Sequence, residues 1–396
     1  MLLKNDFHSS ISENLINIDE KIRSNLFTWR GQFSPQLVEQ ILIHYASEED
    51  IILDPFMGSG TVLYECSMLN LPVIGCEINL AACSFSRIYE LSNINKKEIE
   101  LNLLEVDNYL NFLLKELDLK KFENTLINFY KEIQNKPIKS TIILAFIVGL
   151  DFEAKKLTFN RIKKVWESLK NIINNLNYTD KNIYALQTDA RNTGLEDNSI
   201  DFIITSPPYI NVFNYHQNYR KSLEKVGVNV LEIAKSEIGA NRKFRQNRFL
   251  TVVQYCMDIG QVFIELDRVC KKNSKIVFIV GKESNVKKTL FLNSKLIKEI
   301  ASIAGYEYIG EQRRVFKNKF GNNIYEDILR FKNKKYKNLD LIEKFRKIGI
   351  NALINSLNYC SSDVKNEIEE AITKSENINF SHILERTKNG ITETTL

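Results

Sequence analysis

Asp54-Pro55-Phe56-Met57-Gly58-Ser59-Gly60-Thr61 follows the short apolar run Ile51-Ile52-Leu53, and Ser206-Pro207-Pro208-Tyr209 follows Phe202-Ile203-Ile204. Each run has the length and β-branched character of a buried strand, so each polar string sits where a strand ends. In an open α/β sheet, ligands bind in the crevice outside the carboxyl ends of the strands, and two loops of this kind would face one pocket. The first string has the chemistry of a loop wrapped around a polar ligand. Gly58 and Gly60 let backbone pass where a Cβ would clash, and a helix starting near Thr61 offers unpaired N–H groups. It is neither the G-x-G-x-x-G dinucleotide fingerprint nor a phosphate loop ending in Gly-Lys-Ser/Thr. In the second string, two consecutive prolines stiffen the chain and remove two N–H donors. Carbonyl acceptors then remain beside the Ser206 hydroxyl and the Tyr209 ring, a setting that suits an amino group on a flat base.

The surrounding text completes an α/β pattern. Ser34-Pro35 starts a helix whose apolar spacing runs from Leu37 to Tyr45, because Ser caps and Pro is tolerated in the first turn. A helix follows the first loop from Val62 to near Leu69, and Leu71-Pro72-Val73-Ile74-Gly75-Cys76-Glu77 reads as a second strand ending in an acid. Further strands are expected at Ile183–Leu186, Ile200–Ile204, Ile276–Val280, Tyr306–Glu311 and Tyr325–Phe331, with helices at Val252–Val269 and Leu292–Ala304. The count predicts a mixed sheet of seven strands.

Between Asn79 and Asp180 the text turns rich in Leu, Ile, Asn and Lys, with apolar residues at helical spacing such as Leu110, Leu113, Leu114 and Leu117. This reads as a helical insertion. Trp166 and Phe159 within it read first as core, with contact to nucleic acid as the alternative. After Lys332 comes a basic stretch, K-N-K-K-Y-K, and then helical text without a chemical motif. The expected organisation is therefore residues 1–83 as the first part of the core with the first loop, 84–181 as the insertion, 182–332 as the rest of the core with the second loop, and 333–396 as a helical appendage.

Composition is that of an ordinary globular chain, with 44% hydrophobic and 26% charged residues. The longest apolar runs, such as Ile142–Leu150, are too short to span a bilayer. Residues 1–12 lack a basic start followed by a sustained apolar stretch, so no secretory signal is read and a cytoplasmic location is expected. The 6 cysteines form no C-x-x-C pair and the 4 histidines are scattered, so no metal site is expected.

The two loops together resemble the cofactor loop, D-P-F-x-G-S-G-T, and the catalytic loop, S-P-P-Y, of the amino-methylating DNA methyltransferases that use S-adenosylmethionine. The resemblance covers residues 27–90 and 180–331 and implies a Rossmann-like core. It implies that Phe33, Ser34, Asp54, Pro55, Phe56, Gly58, Gly60 and Thr61 bind the cofactor, with Phe33-Ser34-Pro35 at its methionine end. Glu77, at the end of the second strand, is positioned to accept from ribose hydroxyls. By resemblance Asp189 lies near the adenine of the cofactor and accepts from its amino group; the plain alternative is a turn aspartate. Ser206, Pro207, Pro208 and Tyr209 form the catalytic set. The S-P-P-Y form is more typical of methylation at N4 of cytosine, and D-P-P-Y or N-P-P-Y of N6 of adenine; cytosine is favoured and adenine stays open. Methylation at C5 of cytosine would need a cysteine, usually after a proline, and none of the 6 prolines precedes one.

Net charge is only +5, and its distribution says more than its size. Asn241–Arg248 reads N-R-K-F-R-Q-N-R, preceded by Arg220, Lys221 and Lys225. Arg220, Arg242, Lys243, Arg245 and Arg248 are the candidates to neutralise phosphates of double-stranded DNA, against the alternative of a solvated loop. Target recognition is expected from residues 210–250, the insertion, or Gln312–Asn323, where Arg313, Arg314, Lys317 and Lys319 surround Phe316 and Phe320. That last stretch reads equally as a solvated hairpin. The rivals are an RNA methyltransferase acting on N2 of guanine in transfer RNA and an inactive relative that only binds DNA. A cognate restriction endonuclease encoded alongside enters as a partner by resemblance alone, and the oligomeric state is left open.

Overall fold

The computed structural model describes residues 2–3, 5–18, 22–32, 34–152, 156–210, 214–240, 244–318, 320–335 and 340–385. Phe33, Arg242, Lys243 and Lys319 therefore lie outside the described residues.

The central sheet has 7 strands in the order β3-β2-β1-β4-β5-β9-β8. They are β1 (Ile52–Asp54), β2 (Val73–Cys76), β3 (Ile183–Leu186), β4 (Ile200–Thr205), β5 (Cys270–Gly281), β8 (Tyr306–Lys317) and β9 (Asn323–Asn333). β6 (Glu283–Val286) and β7 (Thr289–Leu292) form a separate hairpin that the sequence reading did not anticipate. The strands from β3 to β5 are parallel, and β9 runs antiparallel to both β5 and β8. This is the mixed, Rossmann-like sheet of seven strands predicted from the sequence. Strand order reverses between β1 and β4, which pair directly through Ile52↔Phe202 and Leu53↔Ile203. The two motif loops thus leave neighbouring parallel strands at the topological switch point, where open α/β sheets hold their ligands.

Period-2 alternation sorts the central strands between two cores. Phe202 and Ile204 of β4, with Val277 and Ile279 of β5, face one side. Ile203, Ile276, Phe278 and Val280 face the other. On the first side pack helices Pro35–Tyr45, Thr61–Met68 and Leu80–Ser86, followed by the insertion. The insertion is built from helices Lys96–Glu116, Leu119–Glu132, Pro137–Leu150 and Phe159–Asn174. Pro137–Leu150 is apolar nearly all round because residues such as Leu103, Phe122 and Trp166 bury it, and its core is continuous with that of the sheet. Trp166 is a core residue whose Nε1 donates to Asp107 Oδ1 at 2.6 Å; Phe159 is partly exposed.

On the second side lie helices Leu250–Val269, Asn293–Ile303, Leu341–Ser356 and Lys365–Lys374. Leu250–Val269 and Leu341–Ser356 meet at glycines. A Cβ on Gly260 would fall 2.1 Å from Phe345 Cδ2, and one on Gly349 would fall 2.6 Å from Val253 Cα. The first helix of the tail, Leu341–Ser356, is thus packed into the second core. Among the described residues, no helix is long and apolar enough to cross a membrane.

Candidate active site

The loop after β1 closes on glycine for two reasons. Gly60 caps helix Thr61–Met68 in the left-handed conformation, with φ of 85°, and a Cβ there would fall 2.8 Å from the Tyr89 ring. Beneath this loop the Asp54 carboxylate is buried. Its Oδ1 accepts from Phe56 N (3.0 Å) and from Thr205 Oγ1 (2.7 Å), while Oδ2 has no hydrogen-bond partner among the described residues. Burial pushes the carboxyl up to about 7, against the pull of those two bonds. Asp54 therefore underlies the pocket and ties the first loop to the end of β4.

The cleft above is lined by Pro55, Phe56, Gly58, Thr61, Glu77, Asp189, Ser206 and Pro208, so residues far apart in sequence converge on one pocket. Glu77 hangs from the end of β2, its Oε1 accepting from Asn79 N at 2.8 Å. Burial raises its carboxyl to about 7, opposed by that bond and reinforced by the nearby Glu237 and Asp54 charges. Trp29, Gln32, Tyr215, Ser236 and Glu237 complete the wall without having been singled out by motif. Trp29 stacks within 13° of parallel on Tyr215 and within 10° on Tyr219, at centroid separations of 6.3 and 6.2 Å. Gln32 Nε2 donates to Phe27 O at 3.0 Å and also reaches Ser59 Oγ, pinning the N-terminal segment to the glycine loop. Glu237 is held by His216, whose Nδ1 lies 2.7 Å from Oε2.

On the opposite wall, both oxygens of Asp189 are already engaged. Oδ1 accepts from Arg191 N (3.0 Å) and Arg191 Nε (2.9 Å); Oδ2 accepts from Arg191 Nη2 (2.6 Å) and Leu384 N (3.1 Å). The buried Arg191 guanidinium also donates to Asp258 Oδ1 (3.2 Å) and to the carbonyls of Ser236 (3.1 Å), Ser381 (3.0 Å) and His382 (2.6 Å). One cation thereby fixes two segments of the pocket wall to each other and to the C-terminal residues. Ser34 caps helix Pro35–Tyr45 at backbone level, with Val38 N donating to its carbonyl at 3.1 Å. It lies away from the pocket lining.

At the end of β4, Ser206 faces the cleft and its Oγ lies 3.3 Å from the Tyr209 hydroxyl. Pro207 is buried. The Tyr209 ring turns toward the end of β5, where a Cβ on Gly281 would sit 3.4 Å away. Burial first, and the Glu326 charge second, raise its hydroxyl to about 12. Segment 236–240 presses on this loop from above, since a Cβ on Gly239 would fall 2.6 Å from Tyr209 O.

The donor set fits S-adenosylmethionine. A Cβ on Gly58 would intrude on the wall 3.3 Å from Trp29 Cδ1, a carboxylate ends β2, and the first turn of helix Thr61–Met68 faces the same cleft. Residues 6–89 match the family model described as DNA methylase, of the N6/N4 amino-methylating class. Over those residues the chain is similar to the amino-methylating DNA methyltransferases. It is 23% identical to the Type II methyltransferase M.MjaII of Methanocaldococcus jannaschii, covering 68% of this chain and 74% of that one. To the Type II methyltransferase M.BsoBI of Geobacillus stearothermophilus it is 24% identical over 53% of each chain. A shorter stretch, 24% of this chain and 27% of the relative, is 35% identical to a tRNA (guanine(10)-N2)-dimethyltransferase of M. jannaschii. The chain thus spans between about a quarter and three quarters of the lengths of these relatives.

Two of the basic residues read from the sequence share a second cleft. Arg220 and Arg245 line one cleft with His216 and Lys235, although Arg220 Nε is engaged by Glu224 at 2.6 Å. Arg248 is exposed just before helix Leu250–Val269. Lys225 pairs with Glu123. In the other basic stretch, Arg313 is paired with Asp327 (2.8 Å) and Arg314 with Glu326 (2.7 Å). Its aromatic and basic text forms the β8–β9 hairpin, whose strands run on past the ends read from sequence.

Proposed function

We propose that this methyltransferase transfers the methyl group of S-adenosylmethionine to the exocyclic amino group of a base flipped out of double-stranded DNA, with N4 of cytosine as the target. The observation that carries this reading is the convergence of Ser206 and Pro208 with the glycine loop and Glu77 on one cleft. When bound, S-adenosylmethionine supplies an electrophilic methyl group on its sulfonium. The amino nitrogen of cytosine is a poor nucleophile because its lone pair is delocalised into the ring. Acceptors that take hydrogen bonds from its N–H groups favour a more tetrahedral nitrogen and aim the lone pair. The Ser206 hydroxyl and the Pro207 carbonyl are assigned that work, a positioning and electrostatic effect. Tyr209 is assigned to stack on the base, and the fixed separation of Ser206 Oγ and Tyr209 Oη, 3.3 Å, supports their acting together.

Glu77 is assigned to the ribose hydroxyls, and Pro55, Phe56, Gly58, Gly60 and Thr61 to the remainder of the cofactor. Asp54 acts through Thr205 and the loop rather than by contact. For Asp189, the side held by Arg191 gives the adenine a rigid wall. Flipping a base costs roughly a few kcal/mol, which phosphate contacts from Arg220, Arg245 and Arg248 would help offset. The serine at the first position of the S-P-P-Y loop supports cytosine over adenine. Likeness to Type II methyltransferases supports a role as the modification enzyme of a restriction-modification system, with a cognate endonuclease as its counterpart.

A second reading, methylation of N2 of guanine in transfer RNA, is favoured by one observation, the 35% identity to a tRNA methyltransferase over 24% of the chain. The two separate in one assay. Purified protein is given labelled S-adenosylmethionine with either mixed-sequence duplex DNA or total transfer RNA. Label in DNA alone is the expected result; label in transfer RNA alone would replace this reading with the second.

A further inference from the structure

β8 and β9 keep pairing beyond the strand they flank. β5 ends at Gly281, opposite Glu326, and one more bond joins Lys282 N to Tyr325 O at 3.1 Å. The β8–β9 ribbon continues through Val315↔Tyr325, Phe316↔Ile324 and Lys317↔Asn323 before it turns. At about 3.4 Å per residue, the ribbon stands ~10 Å above the level of Gly281. That level is the level of the catalytic loop, because the Tyr209 ring lies against Gly281. β5 is parallel to β4, so the overhang is on the side of the sheet where the pocket opens.

The described residues of the turn are joined by hydrogen bonds. Asn318 Oδ1 accepts from Phe320 N (2.9 Å) and Asn322 N (3.1 Å). Asn318 N donates to Asn322 O (2.9 Å), Gly321 N donates to Asn318 O (3.0 Å), and Gly321 takes a left-handed φ of 82°. This frame presents Phe320 with 74% of its surface exposed. Below it the ribbon is braced on both sides. Arg313 and Arg314 are paired across to Asp327 and Glu326, the Arg314 guanidinium lies 4.5 Å from the Phe316 ring centroid, and Val315 N donates to Asn17 Oδ1 (2.9 Å) on the outer edge. Lys317 is exposed and, among the described residues, carries no ion pair. A duplex major groove, roughly 12 Å wide and 8.5 Å deep, admits a two-stranded ribbon of this kind.

Resting on the DNA reading above, we propose that the β8–β9 tip enters the major groove of the substrate duplex beside the flipped base, with Phe320 in apolar contact with base edges there and Lys317 on the neighbouring phosphate. Contact with base edges and thymine methyl groups takes the exposed apolar ring out of water, which favours it. The ribbon's root pairs through Glu326 with Gly281 of β5, against which the Tyr209 ring lies, so one strand links the ribbon to the catalytic loop.

The test compares the full-length protein with Phe320→Ala and Phe320→Trp variants, using mixed-sequence duplex DNA and labelled S-adenosylmethionine. Because Phe320 is exposed, neither variant threatens folding, which thermal unfolding verifies. The expected result is a KM for duplex DNA raised about tenfold in Phe320→Ala, near-parental kinetics in Phe320→Trp, and an unchanged dissociation constant for S-adenosylmethionine in both. Parental kinetics on duplex in Phe320→Ala would overturn the ribbon's role and leave the DNA reading standing. Absence of DNA methylation by the parent protein would overturn the DNA reading itself, and the ribbon's role with it.

Discussion

The Thr205 hydroxyl donates to the Asp54 carboxylate across 2.7 Å, and this bond joins the last residue of β4 to the last residue of β1. One strand carries the catalytic loop and the other the glycine loop. The bond therefore sets the height of one loop against the other. It lies in a fully buried position, where loss of one partner leaves a polar group unsatisfied at a cost of about 1–3 kcal/mol.

The Asp54 carboxylate also makes stability depend on pH in a definite direction. Its folded-state pKa, like that of Glu77, is raised to about 7 by burial, above an unfolded value of about 4. Between those values the folded chain keeps protons that the unfolded chain releases, so stability falls as pH rises through this window. Calorimetry between about pH 4 and 7 should show this carboxylate lowering Tm as pH rises, and the slope should be less negative in Asp54→Asn. An Asp54→Asn slope equal to the parental one would show that this carboxylate does not contribute.

Glu77 should matter to cofactor affinity. Hydrogen bonds to a charged acceptor contribute about 1.5–3 kcal/mol, so Glu77→Ala should weaken S-adenosylmethionine by roughly 10- to 100-fold. Titration calorimetry reads this directly, with duplex DNA affinity as the control expected to stay near parental.

Arg191 should be a stability residue with a cofactor phenotype. Its guanidinium is buried between Asp189 and Asp258 and bonded to the Ser236, Ser381 and His382 carbonyls. Removing one partner from such an assembly costs about 3–5 kcal/mol. Urea unfolding of Arg191→Ala should show a loss of that size. In Arg191→Lys, which keeps the charge but not the planar fork, the S-adenosylmethionine dissociation constant should rise while the protein remains folded.

How much of this was legible in the sequence follows from what kind of signal each element carries. The strands and the two loops were readable because β-branched runs end on glycine or proline strings whose chemistry is local. Glu77 was readable because it ends such a run. The Arg191 cage was not, since its acceptors lie at 189, 236, 258, 381 and 382 and no spacing connects them. Trp29, Tyr215 and Tyr219 form one aromatic group from segments that meet only in three dimensions; the rarity of tryptophan, 2 in the chain, was the one available hint. The strands β8 and β9 were read too short because the arginines and lysines at 313–317 suggested nucleic-acid contact or a solvated hairpin, whereas cross-strand pairing to Asp327 and Glu326 lets them extend the ribbon. The close crossing of Gly260 on Phe345 draws the C-terminal helices into the second core, and a lone glycine in helical text does not announce such a contact.

The most direct test is nucleoside analysis of duplex DNA after incubation with S-adenosylmethionine and the purified protein, run beside a Ser206→Ala, Tyr209→Ala variant. The expected product is N4-methylcytosine, with the variant binding cofactor normally and losing at least about 100-fold in methyl transfer. N6-methyladenine would contradict the cytosine assignment, and equal product from the variant would contradict the role given to the Ser206–Tyr209 loop.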